Sequence, residues 1–161
     1  MTKPTRIWIA SSHHAAFKCG GWAYVRDDAS GLSGQAGGER YVTPVRMALA
    51  GLVAALREAP KGPVAIHIDQ PLVVRVGRLL AGGIQPQGEE APQDDIDLWA
   101  QLATSLTGRP ATFALIAADK AAPAGFAAAW AELARDKANA KGAFVSAIPK
   151  PNLAKVPGLV L

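Results

Sequence analysis

The chain lacks most of the features that would announce its chemistry. It has a single cysteine, Cys19. One thiol excludes an intramolecular disulfide and a zinc site made of cysteines alone, and it fits a reducing compartment. No stretch is long and apolar enough to span a membrane. The apolar run near the start, Arg6–Ser11, is too short for a secretory signal, so a cytoplasmic, membrane-free protein is expected. The phosphate-loop pattern Gly-x4-Gly-Lys-Ser/Thr is absent, so the glycines from Gly31 to Gly38 do not form a nucleotide cradle. There is no Gly-x-Ser-x-Gly elbow to activate Ser11 or Ser12, and Cys19 has no histidine and acid in register. A buried, inert thiol is the reading for Cys19. No internal repeat is present.

What remains is an ordinary globular composition. Half of the 161 residues are hydrophobic, enough for one domain with a real core. The net charge of +4 permits nucleic-acid or other anionic partners without demanding them.

The clearest element is Thr43–Ala59. Thr43 can cap a helix, and Pro44 suits its first position, where a missing N–H is harmless. Val45, Leu49, Leu52, Val53 and Leu56 form an apolar stripe at helical spacing. Ala48, Gly51 and Ala55 run beside it and allow close approach to a sheet. Before this helix, Arg6–Ser11 and Trp22–Arg26 read as strands, with a polar loop from Ser11 to Cys19 between them. Asp27-Asp28 and Ser30-Gly31 read as a turn, and Leu32–Val42 as a third strand. After it, Pro60–Pro63 is a stop and Val64–Asp69 a fourth strand. A short helix follows from Pro71, then a helix opening at Asp94-Asp95, where acids suit the positive end. Thr112–Ala117 reads as a fifth strand. A last amphipathic helix carries Phe126, Trp130 and Leu133 and ends near Lys141-Gly142.

The strand and helix order implies an α/β fold with a mixed five-stranded sheet, its first three strands antiparallel, flanked by helices. Residues 1–141 form that domain. Residues 142–161 differ in kind: Pro149, Pro151 and Pro157 exclude a regular helix, yet the stretch stays apolar. An extended arm is expected, packed on the domain or on a partner chain, or else partly disordered.

Local motifs fall in step with this order. Gly20-Gly21-Trp22-Ala23 opens the second strand. Thr43-Pro44-Val45-Arg46-Met47-Ala48-Leu49 opens the first helix. Ile68-Asp69-Gln70 closes the fourth strand, Asp97-Leu98-Trp99 with Gln101-Leu102 marks a later helix, and Ala131-Glu132-Leu133-Ala134 lies in the last. In that order, over about Thr5 to Ala138, the chain resembles the ribonuclease H-like superfamily and its type I ribonuclease H family in particular. The helix start is similar to that family's Thr-Asn-Asn-Arg-Met-Glu-Leu, and the last motif to its Asp-Glu-Leu-Ala.

The resemblance implies a hydrolase in which converging carboxylates hold two divalent cations that clamp the attacking and leaving oxygens of a phosphodiester. Carried over position by position, the carboxylates fall at Ala10, Ala48, Asp69 and Ala131, so only Asp69 is retained. The family's Lys-Gly-His loop falls at Asp119-Lys120-Ala121, and its paired hybrid-holding asparagines at Pro44-Val45. One carboxylate cannot hold two Mg²⁺ ions. The expectation is therefore a degenerate active site with no catalytic residue, no metal and no cofactor, Mg²⁺ entering only if residual nuclease activity exists.

Other polar residues carry less. Asp69 is a relic, a cap for the next helix or a lone ligand. His13 and His14 lie near the former metal site, but neighbouring loop histidines point apart. His67 alternates with Ile66 and Ile68 and reads as a partly buried, satisfied side chain. Glu132 lies about 100° around its helix from Ala131 and faces solvent. Lys18, Arg46, Arg75 and Arg78, with Trp22 or Tyr41, are the candidates for a phosphate-contacting groove.

Three functions follow from these residues. The first is a non-catalytic module binding RNA–DNA hybrid or duplex. The second is a protein-interaction or scaffold module that uses the arm Ala143–Leu161, with homo-oligomerisation through it. The third is a nuclease with a rearranged metal site at Asp69, His13 or Asp119.

Overall fold

A computed structural model describes residues 4–117, 119 and 121–159. The strands are β1 (Thr5–His14), β2 (Cys19–Asp28), β3 (Gly31–Arg40), β4 (Val64–Ile68), β5 (Ala111–Leu115) and β6 (Phe144–Ala147). The helices are α1 (Pro44–Arg57), α2 (Pro71–Ala81), α3 (Ile96–Leu106), α4 (Pro123–Lys141) and the single-turn α5 (Lys150–Leu153). The sheet runs β5-β4-β1-β2-β3-β6. β1, β2 and β3 form an antiparallel meander, β4 and β5 add in parallel beside β1, and β6 is antiparallel to β3.

The expected mixed α/β sheet is present, but it has six strands rather than five. The sixth comes from the C-terminal arm. Phe144–Ala147 pairs with Gln35–Gly38 and so satisfies the outer edge of β3. Ile148 N–H then donates to the Gly34 carbonyl at 2.9 Å. Ile148, Leu153 and Val156 are buried against the sheet, so the arm packs on its own domain. Against the expectation of no regular helix, one turn, α5, forms with Pro151 near its start, where a missing N–H is harmless. Gly142, with φ 93°, ends α4.

Alternate residues of a strand face opposite sides of a sheet, and the core is divided accordingly. Ile7, Ile9, Trp22 and Tyr24 face α1, α2 and α3, together with Met47, Leu49, Leu52, Val73 and Leu102. Trp8, Ala10, Ala23, Val25 and Ala36 face α4, with Ala127, Ala131 and Ala134. The second layer is built of small residues, so α4 sits close to the sheet. Gly20 and Gly21 show why adjacent glycines are needed where two layers converge. A Cβ on Gly20 would lie 2.6 Å from Met47 Cγ of α1, and one on Gly21 would lie 2.3 Å from the Ala131 carbonyl of α4.

α1 starts as expected: the Thr43 hydroxyl accepts the Arg46 N–H at 3.2 Å, and Pro44 is its first residue. Two local expectations are corrected. The supposed polar loop Ser11–Cys19 is mostly strand, because the β1–β2 ladder continues to His14 opposite Cys19 and leaves only 15–18 as a turn. Asp27 and Asp28 are not the turn but the end of β2, each 4 % exposed. Arginines compensate their burial: Arg6 pairs with Asp27 at 2.5 Å and Arg26 with Asp28 at 2.9 Å. No helix among the described residues is long and apolar enough to cross a membrane.

Candidate functional site

β1, β3 and β4 run in the same direction, so their C-terminal ends share one rim of the sheet. Asp69, Ser11–His14 and Tyr41–Thr43 lie on this rim, and α1 starts from it. Hydrogen bonds tie the rim together. Lys18 offers its carbonyl to the Val42 N–H at 3.1 Å. The Val42 carbonyl in turn lies 2.7 Å from His13 Nε2, which therefore carries the proton and donates.

Asp69 is held by Ser11. Its Oδ2 accepts the Ser11 backbone N–H at 2.9 Å, and its Oδ1 accepts the Ser11 hydroxyl at 3.2 Å. It does not cap α2, as one sequence reading had it; the Gln70 side chain does, accepting from Leu72 N–H at 3.4 Å. Burial pushes the Asp69 carboxyl above its ordinary range, and the two Ser11 bonds only partly oppose this. A carboxyl whose folded pKa is raised binds its proton more tightly in the native state. Its ionisation therefore removes stability as pH rises from the ordinary value of 3.8 through the raised one. Asp69→Asn keeps an acceptor for Ser11 without the charge. It is expected to equal or exceed the wild type in thermal stability at pH 7, with the difference shrinking below pH 4. A loss of stability at pH 7 would show that the ionised form is the one the fold wants.

Ala10, Ala48 and Ala131 are 3 %, 0 % and 0 % exposed. Ala10 and Ala131 belong to the α4-side cluster and Ala48 to the α1-side cluster. Each is a packed core residue. No group of three or more His, Cys, Asp or Glu side chains able to hold a metal occurs among the described residues. The donors considered for a rearranged site are engaged separately. His13 is on the Val42 carbonyl, and Asp119 accepts the Ala121 N–H at 3.0 Å. The His14 ring packs against Phe17, centroids 4.6 Å apart. Lys120 lies outside the described residues. His67 is half-buried and stacks on Trp8, and burial, then Arg6, pulls its pKa down. Cys19 is buried and Glu132 exposed.

The candidate groove residues are scattered. Trp22 is buried at 3 % exposure, its ring stacked on Tyr24, so it has no free face for a ligand. Arg46 binds Asp95 through Nη1 at 3.1 Å and Asp97 through Nη2 at 3.1 Å, which raises its pKa further. Its fork joins α1 to the start of α3. Arg78 donates from Nε and Nη2 to the Phe113 carbonyl, at 3.2 and 2.8 Å, on the strand at the sheet's edge. Arg75 is exposed on α2, and Lys18 is exposed in the β1–β2 turn. Lys18 is thus the only one of the five placed on the Asp69 rim with its head unpaired among the described residues. Two exposed aromatics accompany it there, Phe17 at 60 % and Tyr41 at 84 % exposure. Phe17 was not anticipated, since nothing in Ala15-Ala16-Phe17-Lys18 distinguishes an exposed ring from a buried one.

Comparison with solved structures accounts for this geometry. The N-terminal RNase H domain of a Mycobacterium tuberculosis protein superposes with a TM-score of 0.65 at 20 % identity, over 86 % of this chain and 96 % of that one. The chain has the ribonuclease H fold. LC9-RNase H1, described as a type 1 RNase H with the type 2 active-site motif, gives a TM-score of 0.66 at 12 % identity, over 96 % of this chain and 81 % of its own. LC11-RNase H1, solved in complex with an RNA/DNA hybrid, gives 0.64 at 19 % identity, over 83 % and 98 %. No protein-family model matches the sequence, and no curated protein matches it. The ribonuclease H fold thus appears here with alanine at three of the four positions where the resemblance expects a carboxylate.

Proposed function

We propose that this chain is a nucleic-acid-binding module on the ribonuclease H fold that does not cut its ligand. The observation that carries the reading is the burial of Ala10, Ala48 and Ala131 in packed apolar clusters. A two-metal site needs several anionic oxygens around the cations. Asp69 alone supplies one carboxylate, and Ser11 already donates to both of its oxygens. Three alanine methyl groups supply neither charge nor lone pair.

Binding is supported by the fold's likeness to a protein solved with an RNA/DNA hybrid, by the net charge of +4 and by Lys18 at the Asp69 rim. Hybrid or duplex is the proposed ligand. The scaffold reading loses its motivating feature, because the arm lies on its own β3.

The test is binding and cleavage measured together on an RNA–DNA hybrid, without metal and with Mg²⁺ or Mn²⁺. Binding that weakens steeply with salt and no cleavage in any condition is expected. Metal-dependent cleavage abolished by Asp69→Asn would overturn the non-catalytic reading. Absence of binding even at low salt would overturn the module itself.

A further inference from the structure

The Asp69 rim carries an unusual pair of backbone conformations. Lys18 has φ 53° and Tyr41 has φ 59°, both in the left-handed region. Glycine or asparagine normally occupies such positions, because a Cβ crowds the backbone there. Here they hold a lysine and a bulky aromatic. The two are neighbours: Lys18 accepts the N–H of Val42, the residue after Tyr41. Neither side chain repays the strain by packing. Tyr41 is 84 % exposed, Phe17 beside Lys18 is 60 % exposed, and Lys18 is exposed too. The segments beneath them are fixed by the β1–β2 ladder and by the His13–Val42 bond. Strain held in a rigid frame, with apolar rings turned to solvent, is the pattern of a site awaiting a ligand.

The charges around it select the ligand. Glu39, Asp95 and Asp97 gather on Arg46, at 3.9, 3.1 and 3.1 Å. Arg40 is spent on the C-terminal carbonyls of α4, at 3.2 and 2.9 Å. Lys18 makes no ion pair among the described residues. An exposed lysine with no ion pair among the described residues, next in sequence to Phe17, whose ring rests on His14 but is 60 % exposed, and joined through its carbonyl to the residue after Tyr41, matches a phosphate bearing a planar base.

We infer that Phe17, Lys18 and Tyr41 form a platform for unpaired nucleotides, on which a base stacks on an aromatic ring while Lys18 meets its phosphate. A base within a duplex already stacks on its neighbours and cannot offer its face, so the platform selects single-stranded tails. This rests on the nucleic-acid reading above and sharpens it to a ligand class: a duplex or hybrid bearing a single-stranded extension.

Fluorescence anisotropy with three probes tests the platform: a blunt RNA–DNA hybrid, the same hybrid with a single-stranded tail, and the single strand alone. The tailed hybrid is expected to bind roughly tenfold tighter than the blunt one. Phe17→Ala and Tyr41→Ala should each remove most of that preference, bringing the tailed probe to the affinity of the blunt one measured on the same variant. Lys18→Ala should lower the slope of log affinity against log salt by about one for the tailed probe. Tyr41→Gly supplies the readout that a packing residue would not give. It should lose the tail preference and melt at a higher temperature than wild type, because glycine accepts φ 59° without strain. Equal wild-type affinity for blunt and tailed hybrids, or a preference that survives both ring deletions, overturns the platform and leaves the module standing. No binding to any probe overturns both. Self-association lost on deleting both rings, with no tail preference in wild type, assigns the rings to a protein contact instead.

Discussion

Ala48→Glu will lower the midpoint of thermal unfolding by roughly 10 °C and will gain no cleavage activity, and Ala131→Asp will do the same. Both alanines are 0 % exposed. Ala48 sits in the α1-side cluster with Ile9, Ile66, Ile68 and Leu52, and Ala131 in the α4-side cluster with Ala10, Ala23 and Ala127. A carboxylate placed there gives up water, and the arginine nearest in sequence on each helix is already engaged, Arg46 by Asp95 and Asp97 and Arg135 by Ser12 and Asp136. An uncompensated buried charge costs about 3–5 kcal/mol, and each kcal/mol moves the midpoint by about 2–4 °C at this chain length. Mg²⁺ should not restore the loss, because one added carboxylate beside Asp69 does not make a two-metal site. Melting curves with and without Mg²⁺, run beside a hybrid-cleavage assay, decide the matter. An unchanged midpoint, or a midpoint rescued by Mg²⁺ together with new cleavage, would mean that a metal-binding cavity persists behind the alanine.

The same residues explain which parts of the molecule were legible from sequence. Thr43-Pro44 wrote the start of α1 directly, because capping is local: one hydroxyl, one N–H and one proline. Gly20-Gly21 marked β2, and its meaning proves to be steric, since the two glycines admit α1 and α4 on opposite faces. These signals belong to the architecture, which is why they resemble the ribonuclease H family where the carboxylates do not. The sixth strand was not legible. Phe144–Ala147 has neither strict alternation nor length, and it becomes a strand only because the outer edge of β3 needs a partner. The burial of Asp27 and Asp28 was likewise hidden, since Asp-Asp before Ser-Gly carries every mark of a turn. Only the arrival of Arg6 from β1, paired opposite Asp27, and of Arg26 beside Asp28 makes their burial tolerable. At the site, Trp22 and Arg46 were plausible ligand contacts by type. Tertiary packing sends one into the core and the other to Asp95 and Asp97. Exposure is a property of the assembled rim, so Phe17 emerges only in three dimensions, where it joins Tyr41, already a candidate by residue type.

Gly21→Ala will be strongly destabilising, and Gly20→Ala, one residue away, will be far milder. The added Cβ at Gly21 would stand 2.3 Å from the Ala131 carbonyl oxygen, 2.3 Å from the Arg135 nitrogen and 2.9 Å from the Ala134 carbonyl carbon. All three are backbone atoms of α4, so no side chain can rotate aside. Ordinary contact needs about 3.5 Å, so α4 must lift from β2 by roughly 1 Å. That opens the layer of small residues packed beneath it and pulls Arg135 Nη1 from Ser12 Oγ, now 3.0 Å apart. Overpacking of this kind costs about 3 kcal/mol, which at this chain length is roughly 10 °C in the midpoint. At Gly20 the nearest atom is Met47 Cγ at 2.6 Å, part of an unbranched side chain that can take another rotamer. A loss of about 1 kcal/mol is expected there. The comparison isolates backbone contact from side-chain contact at adjacent positions of one strand. Equal losses at the two sites would mean that α4 does not rest on the β2 backbone, and the α4-side core containing Ala10 and Ala131 would have to be redrawn.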